Sequence, residues 1–213
     1  MSTRPYRSAL REDSARRTRG LITDAARRLF LERGYAETSM AAVARAAGVS
    51  GQTVYNVFGG KAGLLKHVYD VTLVGDDEPI PFAQRPEVQA LYRTEDPAEF
   101  LHGYFAIGLV LLDRLGALVH VVMAGAASGN ADLVAHLDTM ATERLQGVTM
   151  VVRRLVELAP LREGVDEAEA RDVIWSLNSV EVWQLLVGQR GWSGERYANW
   201  LGRTAAEALL PPR

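Results

Sequence analysis

Apolar residues recur along this chain at spacings of three and four, and strict alternation of apolar and polar positions is absent, so the pattern predicts helices and no sheet. Ile22, Ala25, Ala26, Leu29 and Phe30 fall at i, i+3, i+4, i+7 and i+8 and mark one helical stripe, with Arg27 and Arg28 turned away from it. Gly34 supplies a stop. A short helix follows Thr38 and Ser39, either of which can cap it, and places Met40, Val43, Ala44 and Ala47 inside before Gly48 ends it. Ser50 caps a third helix, about Gly51 to Val57, with Val54 and Phe58 inward and Gln52, Thr53 and Asn56 outward. A fourth, about Lys61 to Leu73, turns Leu64, Leu65 and Val68 inward.

From Gly75 to Pro97 the composition changes to Asp76, Asp77, Glu78 and four prolines, which predicts a connection and a domain boundary. Long apolar helices follow over Pro97 to Gly116, Ala117 to Ser128, Ala131 to Ala159, Asp166 to Val187 and Ser193 to Leu210. The expected organisation is a flexible basic arm over residues 1–19, a helical domain over 20–75, and a second helical domain over 76–213. The run Tyr104 to Ala127 is long enough to span a bilayer. Asp113 and Arg114 at its middle would each cost about 2.5 to 3.5 kcal/mol there, so it is expected as buried helix in a protein with no membrane partner.

Charge sharpens this division. Residues 1–70 carry a net +6 and the remaining 143 residues a net −8, the balance expected when one segment meets a polyanion. With no cysteine in 213 residues, disulfide frameworks, thiolate zinc sites and cysteine nucleophiles drop out, and the usage suits a reducing cytoplasm. The N-terminus lacks the apolar stretch of a secretory signal, so a cytoplasmic location is expected.

Two short helices joined by a glycine-containing turn make a helix-turn-helix, here over about residues 39–58. Ala44 allows close helix approach, Gly48 lies in the turn, and Val54 sits in the core of the second helix. Gln52 and Asn56 lie one turn apart on its outer face, and each amide can present a donor and an acceptor to adenine in the major groove. Thr53 can meet a base or a thymine methyl. Ser50, Tyr55 and Lys61 suit phosphates, and Thr38, Ser39 and Gly51 complete the expected DNA-binding set beside two helix N-termini.

The run TSMAAVARAAGVSGQTVYNVFGGKAGLL (Thr38 to Leu65), preceded by ITDAARRLFLERGY (Ile22 to Tyr35), resembles the DNA-binding domain of the TetR family of transcriptional regulators. Two departures stand out: Val57 lies where the family commonly has histidine, and Gly59 and Gly60 replace the polar residue that caps its fourth helix. The resemblance implies an all-α chain with an N-terminal three-helix helix-turn-helix domain and a C-terminal helical domain. The latter would bind a small molecule and dimerise through the helices Asp166 to Val187 and Ser193 to Leu210. Independently, Asp172 to Trp192 is apolar on nearly every face, so it must be buried on two sides, which argues for a homodimer.

Other chemistry fails on spacing. Gly59, Gly60 and Lys61 do not make a phosphate loop, since Tyr55 stands where its first glycine belongs and Ala62 where Ser or Thr should bind magnesium. The glycine and serine runs at Gly48 to Gly51 and Gly125 to Gly129 miss the nucleophile elbow, and histidines 67, 102, 120 and 136 form no ligand pair, so no metal, cofactor or catalytic residue is expected. His120, Asn178 and Glu181 sit among apolar residues and are expected either as structural hydrogen-bonding groups or as anchors of an effector cavity lined by Phe105, Met123, Trp175 and Trp183. The sequence therefore reads as a regulator, most simply a repressor that binds a palindromic duplex operator as a dimer and is released by a small apolar or amphipathic effector. A constitutive or activating regulator, and an enzyme built in the same cavity, are the other readings.

Overall fold

The computed structural model describes residues 4–212, with side chains from residue 13 onward. Its helices are α1 (Arg4–Glu37), α2 (Met40–Ala47), α3 (Gly51–Phe58), α4 (Lys61–Val74), α5 (Pro86–Tyr92), α6 (Pro97–Ala127), α7 (Ala131–Leu158), α8 (Glu167–Leu177), α9 (Val180–Trp183) and α10 (Gly194–Leu209). Among the described residues there is no strand, so the chain is all-α.

The chain divides into two compact units, Met1–Asp77 with Ala117–Leu137, and Glu78–Gly116 with Asp138–Arg213. The expected N-terminal domain over 20–75 therefore lacks the second half of α6 and the start of α7, which pack with it. In the first unit, α1 lies against α2 and α4, α2 against α3, and α3 against α4. Ile22, Ala26, Phe30, Val43, Val54, Leu64, Leu65 and Val68 are buried there, each large side chain contributing about 1.5 to 3 kcal/mol. Val54 is the one buried residue of α3, so a charge at this position would detach the helix. Gly34 breaks α1 with φ 79°, the left-handed region open to glycine. Gly63 lets the first turn of α4 approach α3 so closely that any Cβ would collide with the Phe58 carbonyl oxygen.

Residues 4–19, expected as a flexible arm, are helix continuous with α1, and the remainder of that expected arm lies outside the described residues. Arg19 does not reach outward: its Nε donates to Asp77 Oδ2 at 2.6 Å.

The second unit is built around Phe100, Leu101 and Phe105 of α6, Val148, Val151, Val152 and Leu155 of α7, Ala170 and Ile174 of α8, and Tyr197, Leu201, Ala205 and Leu209 of α10. Asp166 caps α8 by accepting from the Glu169 N–H at 2.8 Å, and Glu167 and Glu169 place negative charge where the helix dipole favours it. Arg162 closes the end of α10, donating from its backbone N–H to the Leu209 carbonyl at 2.8 Å and from Nη1 to the Glu207 carbonyl at 2.7 Å.

Two expected helix boundaries differ. Pro97 to Gly116 and Ala117 to Ser128 are one helix, α6, because Gly116 is tolerated within it and the Trp183 ring packs over its bare Cα. Conversely, the single helix expected over Asp166 to Val187 stops at Leu177. Asn178 leaves the helical conformation, Ser179 caps α9 by accepting from the Val182 N–H at 3.2 Å, and residues Gln184–Gln189 continue as a π-helix. By length and composition α6 could cross a membrane, with a mean hydropathy of 1.9 in its most apolar window; its Asp113 and Arg114 are exposed.

Candidate nucleic-acid interface and effector region

The helix-turn-helix forms as its local chemistry dictates. Ser39 accepts from the Ala42 N–H at 3.1 Å and caps α2, Gly48 closes it with φ 69°, and Ser50 accepts from the Thr53 N–H at 3.0 Å and caps α3. Gly59 ends α3 with φ 71°, and α4 begins at Gly60 without a side-chain cap.

On the outer face of α3, Gly51, Gln52, Tyr55 and Asn56 are exposed, Tyr55 by 52%. Gln52 Nε2 donates to Asn56 Oδ1 at 2.7 Å, so the two amides expected to read bases brace one another across one turn. That bond leaves Gln52 Oε1 as an acceptor and the Asn56 Nδ2 hydrogens as donors, the complementary pair a base edge requires. Thr53 is half-buried, with its hydroxyl 2.8 Å from that of Ser50.

Two other expected contacts look elsewhere. Thr38 is 1% exposed, and its hydroxyl faces the carbonyls of Leu29 at 3.1 Å and Gly34 at 2.8 Å. It pins the end of α1 and is not available to a phosphate. Lys61 donates to the Ala36 carbonyl at 3.2 Å and stands 4.2 Å from the centre of the Tyr35 ring, and partial burial lowers its pKa. Tyr35 in turn donates to Asp132 Oδ2 in the first turn of α7 at 2.7 Å, while burial and that carboxylate raise its own pKa well above the ordinary value. The Asp132–Tyr35–Lys61 series joins the starts of α7 and α4 to the end of α1, a link that helical periodicity could not reveal. Arg45, exposed in the last turn of α2, is a further cation on this unit, recognisable in sequence by its place off the Val43–Ala44 stripe.

The expected effector residues separate. Phe105, Trp175, Asn178, Glu181 and Trp183 belong to the second unit, whereas His120 and Met123 belong to the first. His120 and Glu181 are exposed, against the expectation that both are enclosed, because α6 and α9 turn these positions outward. Asn178 is half-buried and donates from Nδ2 to the Tyr104 hydroxyl at 2.7 Å. Arg144 Nη1 donates to the carbonyls of Trp175 at 3.3 Å and Asn178 at 2.8 Å, and its guanidinium lies 4.2 Å over the Trp175 ring. These contacts satisfy the carbonyls that the end of α8 exposes and fix the break before α9. An open groove of about 570 Å³ lies on α8 and α10, lined by Glu169, Asp172, Val173, Ser176, Leu177 and Thr204, none of them among the expected effector residues.

The sequence profile of the bacterial regulatory proteins of the tetR family matches residues 22–68, which cover the second half of α1, all of α2 and α3, and the first half of α4. No curated protein matches the chain. Among solved structures, the SmeT–triclosan complex is similar with a TM-score of 0.68 and 22% identity over 91% of each chain. Native NalD of Pseudomonas aeruginosa, the secondary repressor of the MexAB-OprM multidrug efflux pump, aligns with a TM-score of 0.68 and 19% identity over 92% of this chain and 98% of that one. FadR from Bacillus subtilis in complex with stearoyl-CoA gives 0.68 and 19% over 88% and 97%. At these identities the solved structures establish a shared fold, and the profile match locates the helix-turn-helix within it. The matched segment and the fold agree: residues 22–68 match the family model of the tetR-type bacterial regulatory proteins, and the chain as a whole shares the fold of the solved structures.

Proposed function

We propose that this DNA-binding regulator is a cytoplasmic repressor that holds a palindromic operator as a homodimer and leaves it when a small apolar or amphipathic effector binds. The observation that carries the reading is the outer face of α3, where Gln52, Tyr55 and Asn56 stand exposed on a capped recognition helix. Two such helices, one from each subunit, meet adjacent major grooves about 34 to 36 Å apart, so the spacing between subunits decides affinity. An effector that favours a different spacing lowers operator affinity by population shift, and the protein does no covalent chemistry.

Several similar structures hold small molecules: triclosan in SmeT, stearoyl-CoA in FadR of Bacillus subtilis, and choline in a transcriptional regulator from Saccharomonospora viridis. These support an effector role for the C-terminal helices of this chain, with Phe105, Trp175, Asn178 and Trp183 as its candidate residues. For the dimer, the outer faces of α8 and α10 with Leu185, 52% exposed, form the proposed contact. Val182 and Leu186 of the same stretch pack partly buried against the core of their own unit.

The test uses an operator selected from random duplexes. Gln52→Ala or Asn56→Ala is expected to weaken operator binding by about 1 to 3 kcal/mol per half-site and to relax preference at one base pair, with binding to unrelated duplex unchanged. An equal loss on every sequence contradicts the assignment of α3 as the reading helix.

A further inference from the structure

We infer that each operator half-site carries an adenine read by the Gln52 carboxamide, and that Asn56 is the positioning residue that holds this amide with its oxygen toward adenine N6 and its nitrogen toward N7. This rests on α3 as the reading helix, proposed above, and names the base that the helix reads.

Polar groups on the outer face of α3 are few. Its sequence, GQTVYNVF, holds two carboxamides, Gln52 and Asn56, and both are exposed. The hydroxyls beside them are already engaged: Ser50 Oγ accepts from the Thr53 N–H at 3.0 Å and stands 2.8 Å from Thr53 Oγ1. Gly51 has no side chain, Val57, 44% exposed, has no polar side-chain atom, and the Tyr55 phenol suits a phosphate. Discrimination among bases therefore falls on the two amides.

These amides are joined across one helical turn, where Gln52 Nε2 donates one hydrogen to Asn56 Oδ1 at 2.7 Å. The second Nε2 hydrogen and Oε1 remain, one donor and one acceptor on the same planar group. Adenine alone presents the matching pair in the major groove, the N6 amine and the N7 acceptor. Guanine offers acceptors at both N7 and O6, thymine an acceptor, and cytosine a donor. A glutamine amide free to turn over could aim both Nε2 hydrogens at guanine, so a lone glutamine separates the two purines poorly. The bond to Asn56 removes that freedom. Turning Gln52 over sets its Oε1 against Asn56 Oδ1, two acceptors face to face, and relief requires both amides to reverse together. A hydrogen bond between two exposed side chains adds little to the fold, because water replaces it. Its effect is preorganisation: a long, rotamer-rich side chain is held in its reading orientation before DNA arrives.

The test changes each half-site position of an operator selected from random duplexes to all four base pairs, and titrates each duplex with the full chain by fluorescence anisotropy. The wild type is expected to prefer adenine over guanine at one position per half-site by roughly 5- to 150-fold, the value of a bidentate amide–adenine pair. Gln52→Ala is expected to erase that preference. Asn56→Ala is expected to relax the same position, and the double variant no further than Gln52→Ala alone. Asn56→Asp restores an acceptor for Nε2, so it is expected to keep the adenine preference while binding every duplex more weakly, since its charge faces phosphate; it also serves as the second variant should Asn56→Ala disturb the helix. An adenine preference that survives Asn56→Ala, relaxation by Asn56→Ala at a different position only, or guanine at the position where Gln52→Ala acts overturns the inference and leaves the repressor reading intact. A loss in Gln52→Ala that is equal on every sequence overturns both.

Discussion

Removing a single oxygen tests the link between the end of α1 and the start of α7. Tyr35 is 3% exposed, its ring lies 5.5 Å from that of Phe30 and beneath Lys61, and its hydroxyl donates to Asp132 at 2.7 Å. Tyr35→Phe keeps the ring and both ring contacts and deletes the hydrogen bond alone. A bond to a charged acceptor contributes about 1.5 to 3 kcal/mol. Asp132 is exposed and sits in the first turn of α7, where water and the helix dipole recover part of that loss, about 0.3 to 1 kcal/mol. The net cost is therefore about 0.5 to 2.7 kcal/mol, or roughly 1 to 11 °C in Tm for a chain of this length. Thermal denaturation followed by circular dichroism measures it, in a cycle with Asp132→Asn and the double variant. A coupling of about 1 kcal/mol is expected, with operator salt dependence unchanged because Lys61 keeps its seat. If the two single effects add with less than about 0.3 kcal/mol of coupling, the bond does not tie these helices.

Thr38→Val is expected to cost about 1 kcal/mol of stability and to leave the salt dependence of operator binding unchanged, because its hydroxyl serves the Leu29 and Gly34 carbonyls; a slope lower by roughly 0.9 per lost contact would return Thr38 to the phosphate backbone. His67 stands 3.6 Å from Asp77 beside Phe58, and burial lowers its pKa below 6.5 despite the opposing pull of Asp77 and Asp70. The folded chain then takes up this proton less readily than the unfolded one, so stability falls as pH drops below 6.5 until the lowered value is passed. Denaturant melts from pH 7.5 to 5 are expected to show that fall and to lose part of its slope in His67→Phe; an identical slope in the variant refutes the assignment. Leu185→Glu is expected to produce monomer in equilibrium sedimentation without unfolding the chain, and an unchanged dimer would place the interface elsewhere.

The helix-turn-helix was legible in sequence because its determinants are local: capping serines at 39 and 50, a left-handed glycine at 48, and an apolar position at 54. Thr38 and Ser39 qualified equally as caps, and only the approach of the α1 end decides that Thr38 turns inward. Arg19 read as part of a mobile arm because its partner Asp77 lies 58 residues away in sequence. Along α6 and from α8 to the π-helix the apolar signal is nearly continuous, so periodicity could not assign faces: His120 of the first unit and Glu181 of the second emerge exposed, and Val182 and Leu186 are partly buried. Nor could it find the break at Asn178, whose causes are the Arg144 and Tyr104 side chains from two other helices.

Reciprocal titration of operator and effector tests the central claim most directly. The operator duplex is titrated with the full chain in the absence and presence of a saturating effector identified by tryptophan quenching, and effector affinity is measured with and without operator. Two chains per duplex are expected, with an operator affinity lowered about 5- to 150-fold by the effector and an effector affinity lowered by the same factor when operator is bound. Effector affinity identical with and without operator, or one chain per duplex, would contradict it.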